Sequence, residues 1–457
     1  MTEAATETAT KAAIEARARQ RLAAAVPANV RAVCRTLASA GHQAVAVGGA
    51  VRDAILGREP GDWDVATSAH PDQVIALFPR TVPTGLQHGT VTVVTGRGAS
   101  SHVEVTTFRG EGAYTDARRP DHVTFGVPLI EDLARRDLRV NAIAYDPQTD
   151  ALIDPYDGQT DIAERRLRAV GPTGRVYDDA VARFTEDGLR VMRAVRFAAA
   201  LEFELDPETE RGIAPALPSL ARVSKERICD ELRKILATRQ PSRALTIAER
   251  TGILALILPE HEAGIAAWAA ARAVGRDAQL ARWLARVDAA GPARLAALLA
   301  ELADPEPARR LDRGSQRAVE AVLRRLKFSN DECAAAAIAI GAAAAVRADG
   351  WTDPEVRRLL ADLTRGHAAG AIALWRADGA AELADRAAAI LARGDALVVG
   401  ELAVTGKDLM AALDMPPGPS IGRLLTALLD RVLTDPALNT PDALIAAARG
   451  LELQLAR

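Results

Sequence analysis

Hydrophobic positions along this chain follow two different rules in two different regions. Short, β-branched runs at 44–47, 63–66, 90–94 and 103–108, each bounded by Gly, Pro or Ser, predict strands. Helical spacing lies between them at 51–56 and 71–78. These segments predict a small α/β or α+β head that ends near Asp157-Gly158. Ahead of it, residues 1–25 alternate Ala with charged residues and read as a helical or frayed leader. From about Asp161 the strand signals stop. The stretches 189–200, 225–236 and 243–252 repeat at the helical period, and further helices come after them, broken at Pro259, Gly291, Asp304-Pro305, Gly350, Gly394, Pro416-Pro417-Gly418 and Pro436. No fixed-period repeat is visible. The expected fold class is α+β, a small mixed-sheet head followed by a long all-helical remainder. The expected segments are 1–25, 26–158, 159–258, 259–395 and 396–457.

Composition narrows the function classes. About half of the 457 residues are apolar and only 4% aromatic, with Ala and Leu dominant, which favours helices for most of the length. The longest apolar run, 334–346, falls well short of the ~20 residues a membrane span needs, so it reads as a buried helix. The opening MTEAATETAT has no apolar signal core, and the chain is expected to be cytoplasmic with no membrane partner. Cys34, Cys229 and Cys333 lie far apart, which argues against a zinc site or a disulfide framework. A formal charge of −3 means that any nucleic-acid contact must use a local basic face. Nothing in the sequence speaks to oligomeric state.

Four constellations carry potential chemistry. Gly48-Gly49-Ala50-Val51-Arg52-Asp53 follows a strand and opens a helix. Its glycines let a phosphate approach the backbone, the helix start offers free N–H groups, and Arg52 adds a fork for phosphate oxygens. It lacks the Lys of a Walker loop. Asp62-Trp63-Asp64 enters a strand, where alternation would point both carboxylates to one face. Paired carboxylates repel unless a cation sits between them, and Glu104 would complete a three-carboxylate site if its strand is a neighbour. In Arg135-Arg136-Asp137-Leu138-Arg139-Val140-Asn141, helical spacing would put Asp137 and Asn141 on one face, with Arg136 free to reach phosphate or sugar. In 186–197, Asp187, Arg190, Arg193 and Arg196 recur every three residues along a helix that is otherwise apolar. For each, the bland alternative is a solvated turn or a surface ion pair.

Taken in this order, GGAVRD, DWD, VEVTTFR, RRDLRVNAIA, EDGLRVMRAVRFA and SKERICDELRKIL resemble the class II tRNA nucleotidyltransferase and poly(A) polymerase family of the polymerase-β superfamily. The resemblance covers roughly half the chain, with a weaker echo in GKDLMAALDMPPGPSIGRLL. It implies a nucleotidyltransferase head, then helical neck, body and tail, the tail contacting tRNA. It implies that Asp62 and Asp64, with Glu104, hold Mg²⁺. Gly48, Gly49 and Arg52 would contact the triphosphate; Arg136, with Asp137 and Asn141, the nucleotide; Asp187 and Arg190 the base; and Arg193 and Arg196 the phosphate side. The chain departs from the commoner RRDFTINA at Leu138-Arg139-Val140. The implied reaction is attack of a tRNA 3′-hydroxyl on the α-phosphate of CTP or ATP with loss of pyrophosphate, assisted by two metal ions. An Asp acceptor beside an Arg donor suits the amine and ring nitrogen that cytosine and adenine share.

Four activities share these motifs. The polar segment 109–126 is full length, against CC addition alone; Gly85-Leu86-Gln87-His88-Gly89-Thr90-Val91 stands where bacterial poly(A) polymerases of this class resemble a GRRF-type strand, against poly(A) synthesis. The expectation is CCA addition, with A addition the alternative and a tRNA-binding pseudoenzyme the non-catalytic one. Some relatives carry a metal-dependent HD domain after the neck; here His261 and His367 have no adjacent His-Asp pair, so the body is expected to be helical and non-catalytic.

Overall fold

The structure is a computed structural model that describes residues 3–98, 101–111, 123–303, 312–345, 350–363 and 365–455. It divides into two compact units, 1–257 and 258–457.

The first unit is built on a seven-stranded sheet. Its strands are β1 (Ala44–Val47), β2 (Asp64–Thr67), β3 (Thr81–Gly85), β4 (Thr90–Val94), β5 (His102–Thr107), β8 (Ala144–Asp146) and β9 (Ala151–Ile153). They lie in the order β3-β4-β5-β2-β1-β8-β9. Only β2 and β5 run parallel; the other pairs are antiparallel. β6 (Arg109–Glu111) and β7 (Val123–Phe125) form a separate hairpin, so the ends of the expected polar loop pair, while 112–122 lie outside the described residues. The valine-rich central strands are buried, and Val45, Val47, Ala66, Phe108, Leu129, Leu133 and Val170 form one apolar cluster.

Helices α1 (Glu3–Ala25), α2 (Ala28–Ser39), α3 (Gly49–Leu56), α4 (Pro71–Leu77), α5 (Leu129–Ala134) and α6 (Gly158–Glu164) accompany the sheet. The segment read as a leader is an integrated element. Ala18 and Leu22 of α1 are buried, Lys11 pairs with Asp157, Arg19 with Asp150, and Arg21 Nη1 donates to the Ile55 carbonyl at 2.5 Å.

The strand signal does not stop at Asp161. A two-stranded parallel pair, β10 (Arg166–Leu167) and β11 (Glu204–Leu205), joins the end of α6 to the helical segment beyond it. That segment comprises α7 (Val176–Glu186), α8 (Leu189–Leu201), α9 (Pro207–Arg211), α10 (Ile213–Ala221), α11 (Lys225–Leu236), α12 (Pro241–Arg250) and α13 (Ile253–Ile257). The break between α7 and α8 needs Gly188, because a Cβ there would lie 2.2 Å from the Leu220 nitrogen. Backbone-to-backbone packing at that distance leaves no room for a side chain. Asp187 is thereby fixed at the N-terminal edge of α8.

The second unit is helical throughout its described residues. The 330–345 helix contains most of the expected apolar run and is mainly buried. His261 is a core residue, its ring 4.3 Å from that of Trp283. The segment from Ala396 to Leu451 has its own apolar cluster, centred on Leu409, Leu424, Leu428 and Leu444. Among the described residues no helix is long and apolar enough to cross a membrane. All three cysteines are buried and none is in a disulfide among the described residues.

Candidate active site

The β1–α3 turn, β2, β5, α5, the 135–141 segment and the start of α8 converge on one cavity of about 520 Å³. Gly48, Gly49, Arg52, Asp64, Glu104, Arg136, Asp137, Asn141, Asp187, Arg190 and Arg193 line it. Asp62 and Arg196 do not.

Gly48 makes the turn at φ +82, a conformation that L side chains rarely adopt. A Cβ here would lie 3.1 Å from Arg136 Nη1 and 3.6 Å from Asp64 Oδ2. The missing side chain therefore leaves room between the guanidinium, the carboxylate and the first turn of α3.

Asp64 opens β2 and pairs in register with Glu104 on the parallel neighbour β5. Residues paired in register point to the same face, so the condition for bringing Glu104 to the site is met. Burial and the Glu104 charge push the Asp64 carboxyl up to about 6, with Arg136 opposing and Asp62 adding to the rise. Asp62 is placed differently from the alternation argument. The strand begins at Asp64, and Asp62 lies exposed in the preceding bend, close enough to act on Asp64 through its charge.

As a cation site the donor set fits in part. Asp64 and Glu104 are like charges held side by side, and the side chains of Asp62, Asp64 and Glu104 have no hydrogen bond or ion pair among the described residues. The three do not already converge as a closed cage, and no such cluster occurs among the described residues. A divalent cation would add the charge that this pair lacks.

The RRD segment is not the helix its spacing suggested. Residues 139–141 form a single tight turn, and Leu138 bridges to Ala169. Asp137 and Asn141 still meet: Asn141 Nδ2 donates to Asp137 Oδ1 at 3.0 Å, and Arg52 Nη1 donates to Asn141 Oδ1 at 2.6 Å. Burial opposes ionisation of Asp137, but the Arg193 charge and hydrogen bonds from Asn141, Arg193 and the Leu138 N–H hold it well below the usual carboxylate range. The departure at Arg139 has a structural account: its Nε donates to the Ala169 carbonyl at 3.3 Å, across the Leu138 bridge. Arg136 is the less committed cation. Burial lowers its affinity for a proton, its Nη1 reaches only the Asn141 carbonyl at 3.3 Å, and its Nε is buried without a hydrogen-bond partner.

The three-residue stripe divides by partner, with Asp187 in the break before α8 and the three arginines on it. The Arg190 N–H donates to the Asp187 carbonyl at 2.9 Å, while the side chains bind other groups. Asp187 Oδ1 accepts the Leu189 N–H and Oδ2 accepts Arg227 Nη2 at 2.8 Å. Arg190 is 6% exposed and donates to Glu186, to the Arg183 carbonyl and to the Arg135 carbonyl. Arg193 pairs with Asp137, and Arg196 pairs with Glu231 at 2.7 Å outside the cavity lining. Phe197 lies within reach of the Arg52, Arg193 and Arg196 guanidinia.

Sequence reasoning passed over Arg109, Asp132, Arg135 and Arg227, all of which line the cavity. Arg227 sits in the SKERICDELRKIL stretch, so the motif flagged its region without marking the residue. Asp132 precedes the RRD segment by one helical turn, which is a weak signal.

Comparison with known proteins agrees with this architecture. A poly A polymerase head domain model matches 44–168, a model for the RNA and SrmB-binding site of polymerase A matches 202–265, and a tRNA nucleotidyltransferase domain 2 model matches 312–448. The crystal structure of the Bacillus stearothermophilus CCA-adding enzyme in complex with CTP superimposes with a TM-score of 0.72 at 31% identity, over 93% of this chain and 97% of that one. The chain belongs to the tRNA nucleotidyltransferase and poly(A) polymerase family. A Geobacillus CCA-adding enzyme is 50% identical over 227 residues, 50% of this chain and 53% of that one. The Lactococcus lactis enzyme is 46% identical over 212 residues, 46% and 51% of the two chains. The chain thus spans about half the length of the curated relatives it matches. The Thermotoga maritima CCA-adding enzyme complexed with tRNA, 17% identical with a TM-score of 0.66, shares the fold.

Proposed function

We propose that this chain adds C, C and A to the 3′ end of tRNA from CTP and ATP, releasing pyrophosphate. The observation that carries the proposal is the in-register Asp64–Glu104 pair facing Gly48 and Arg136 in the same cavity as Asp187 and Arg190. Solved relatives with CTP, with ATP and with tRNA support the substrate set.

Each group has a task in this reading. Asp62 and Asp64 would hold Mg²⁺, with Glu104 beside them; bound there, the metal supplies activation of the attacking hydroxyl and neutralisation of the leaving group. The β1–α3 turn and Arg136 receive the triphosphate, the guanidinium offering donors that the protein leaves unmatched. Asp137, held ionised, fixes Arg193 and Asn141, and Asn141 in turn fixes Arg52. Asp187 accepts from the exocyclic amine of cytosine or adenine, with Arg190 and Arg227 orienting it and the ring edge. Uracil and guanine present oxygen there and are repelled.

The test is incorporation. Purified protein is given tRNA lacking CCA, tRNA ending in CC and an unrelated RNA, with each nucleotide separately and together, and products are sized. CCA addition predicts three nucleotides on the first and one A on the second. Use of ATP only, from a CC end, would assign A addition instead.

A further inference from the structure

Asp132 projects from α5 into the cavity, yet no motif explains it. It is 1% exposed. Its Oδ1 accepts Arg135 Nε at 3.0 Å and the Arg109 N–H at 3.3 Å. Its Oδ2 is buried with no hydrogen-bond partner and lies 3.8 Å from Arg136 Nη2. Arg136 also has a buried, unmatched Nε. The Arg135 carbonyl receives Arg190 Nη2 at 2.9 Å. One carboxylate therefore stands behind two adjacent guanidinia, and the backbone of the first holds an arginine of α8.

We infer that Asp132 is a positioning residue that aims Arg136, and Arg135 beside it, at the phosphate tail of the incoming nucleotide; this rests on the nucleotide-binding reading of the cavity. The geometry is suited to that task. Two neighbouring guanidinia repel, and a buried charge left without a counter-charge is costly. Asp132 relieves both while saturating only Arg135. At 3.8 Å it attracts Arg136 Nη2 without accepting a hydrogen bond from it, so Arg136, whose Nη1 donates to the Asn141 carbonyl, keeps Nη2 for oxygens in the cavity.

The inference makes a prediction opposite in sign to simple electrostatics. Asp132→Asn keeps the shape and removes a negative charge from an anion pocket, so charge alone predicts tighter anion binding. Positioning predicts weaker binding, because Arg136 loses the attraction that aims it. Calorimetric titration of the full chain with CTP, UTP, inorganic tripolyphosphate and CMP separates the two. The expected result is about tenfold weaker binding of CTP and tripolyphosphate, the order of one lost charge-assisted contact. CMP binding and the preference for CTP over UTP should stay within about twofold of the parent, since the reading edge is untouched. Unchanged or tighter tripolyphosphate binding by a variant with an intact thermal transition would overturn the proposal. A parent chain that binds neither CTP nor tripolyphosphate would overturn the nucleotide reading itself. Should Asp132→Asn not fold, Asp132→Glu carries the test. It keeps the charge but moves the carboxylate, so positioning predicts the same loss and a pure charge role predicts parental affinity.

Discussion

At the scale of single residues, Asp64 is held in a state that is poor for stability and suited to the proposed metal-binding role. Its carboxyl is pushed from 3.8 to about 6 by burial and by Glu104. A carboxyl with a raised folded value binds more protons folded than unfolded between those two pH values. Its contribution to stability therefore falls as pH rises through that window, by up to ~1.4 kcal/mol per unit, and its ionisation opposes folding above it. Asp64→Asn should abolish nucleotide addition while raising the melting temperature in EDTA at neutral pH. Mg²⁺ should raise the melting temperature of the parent and leave the variant unmoved. A variant that melts several degrees lower would show that Asp64 is a structural residue. The same pKa predicts that the Mg²⁺ concentration for half-maximal rate climbs below about pH 6, as the metal competes with a proton.

Asp187 and Arg190 also separate at this scale. Asp187→Ala removes the acceptor and should admit UTP or GTP, changing the ratio of kcat/KM by roughly 5- to 150-fold, the worth of ~1–3 kcal/mol of base discrimination. Arg190 is buried among three acceptors, so Arg190→Ala should lose stability as well as rate. An unaltered CTP-to-UTP ratio in Asp187→Ala would end the template idea.

Among elements, the β1–α3 turn is where backbone geometry and chemistry meet. Gly48→Ala strains a left-handed position and places a methyl against Arg136 and Asp64. Gly41→Ala imposes similar strain at φ +87 with nothing within 4 Å. Both should lose about 1–2 kcal/mol of stability, but only Gly48→Ala should raise the KM for CTP and ATP. Equal kinetics in the two variants would remove the turn from the site.

This element was legible in the sequence because a valine run and two glycines state both strand and turn, as did 44–47, 90–94 and 225–236. The edge strand Thr81–Gly85 was not, since Pro83 reads as a breaker and only an edge tolerates it. Strands of three residues such as Ala144–Asp146 carry too little pattern to detect. The helix expected at 137–141 gave way to a turn because Leu138 and Arg139 join the backbone at 168–169. The candidate site was legible where motif and register coincide, at Asp64 and Glu104. It was illegible at Asp132 and Arg227, which line the cavity only through what distant segments bring together.

For the molecule as a whole, the two compact units divide labour in the proposed function. The 396–451 segment shares an apolar cluster, and Arg357 donates to the Leu433 carbonyl within the same unit. Removing residues from Gly400 onward would therefore unfold part of the second unit instead of subtracting a tail. Charge reversal of the exposed Lys407, Arg423, Arg431 and Arg449 is the cleaner probe. It should raise the KM for tRNA, lower the salt dependence of binding, and leave the KM for CTP unchanged, as lost phosphate contacts require. An unchanged KM for tRNA would place the RNA contact elsewhere.

The most direct test of the account is the product formed on a tRNA that ends at its discriminator base. With CTP, ATP and Mg²⁺ the product should grow by three nucleotides and stop, and with CTP alone it should grow by two. A single added A from a CC end with no use of CTP, a long A tail on arbitrary RNA, or no incorporation at all would contradict it.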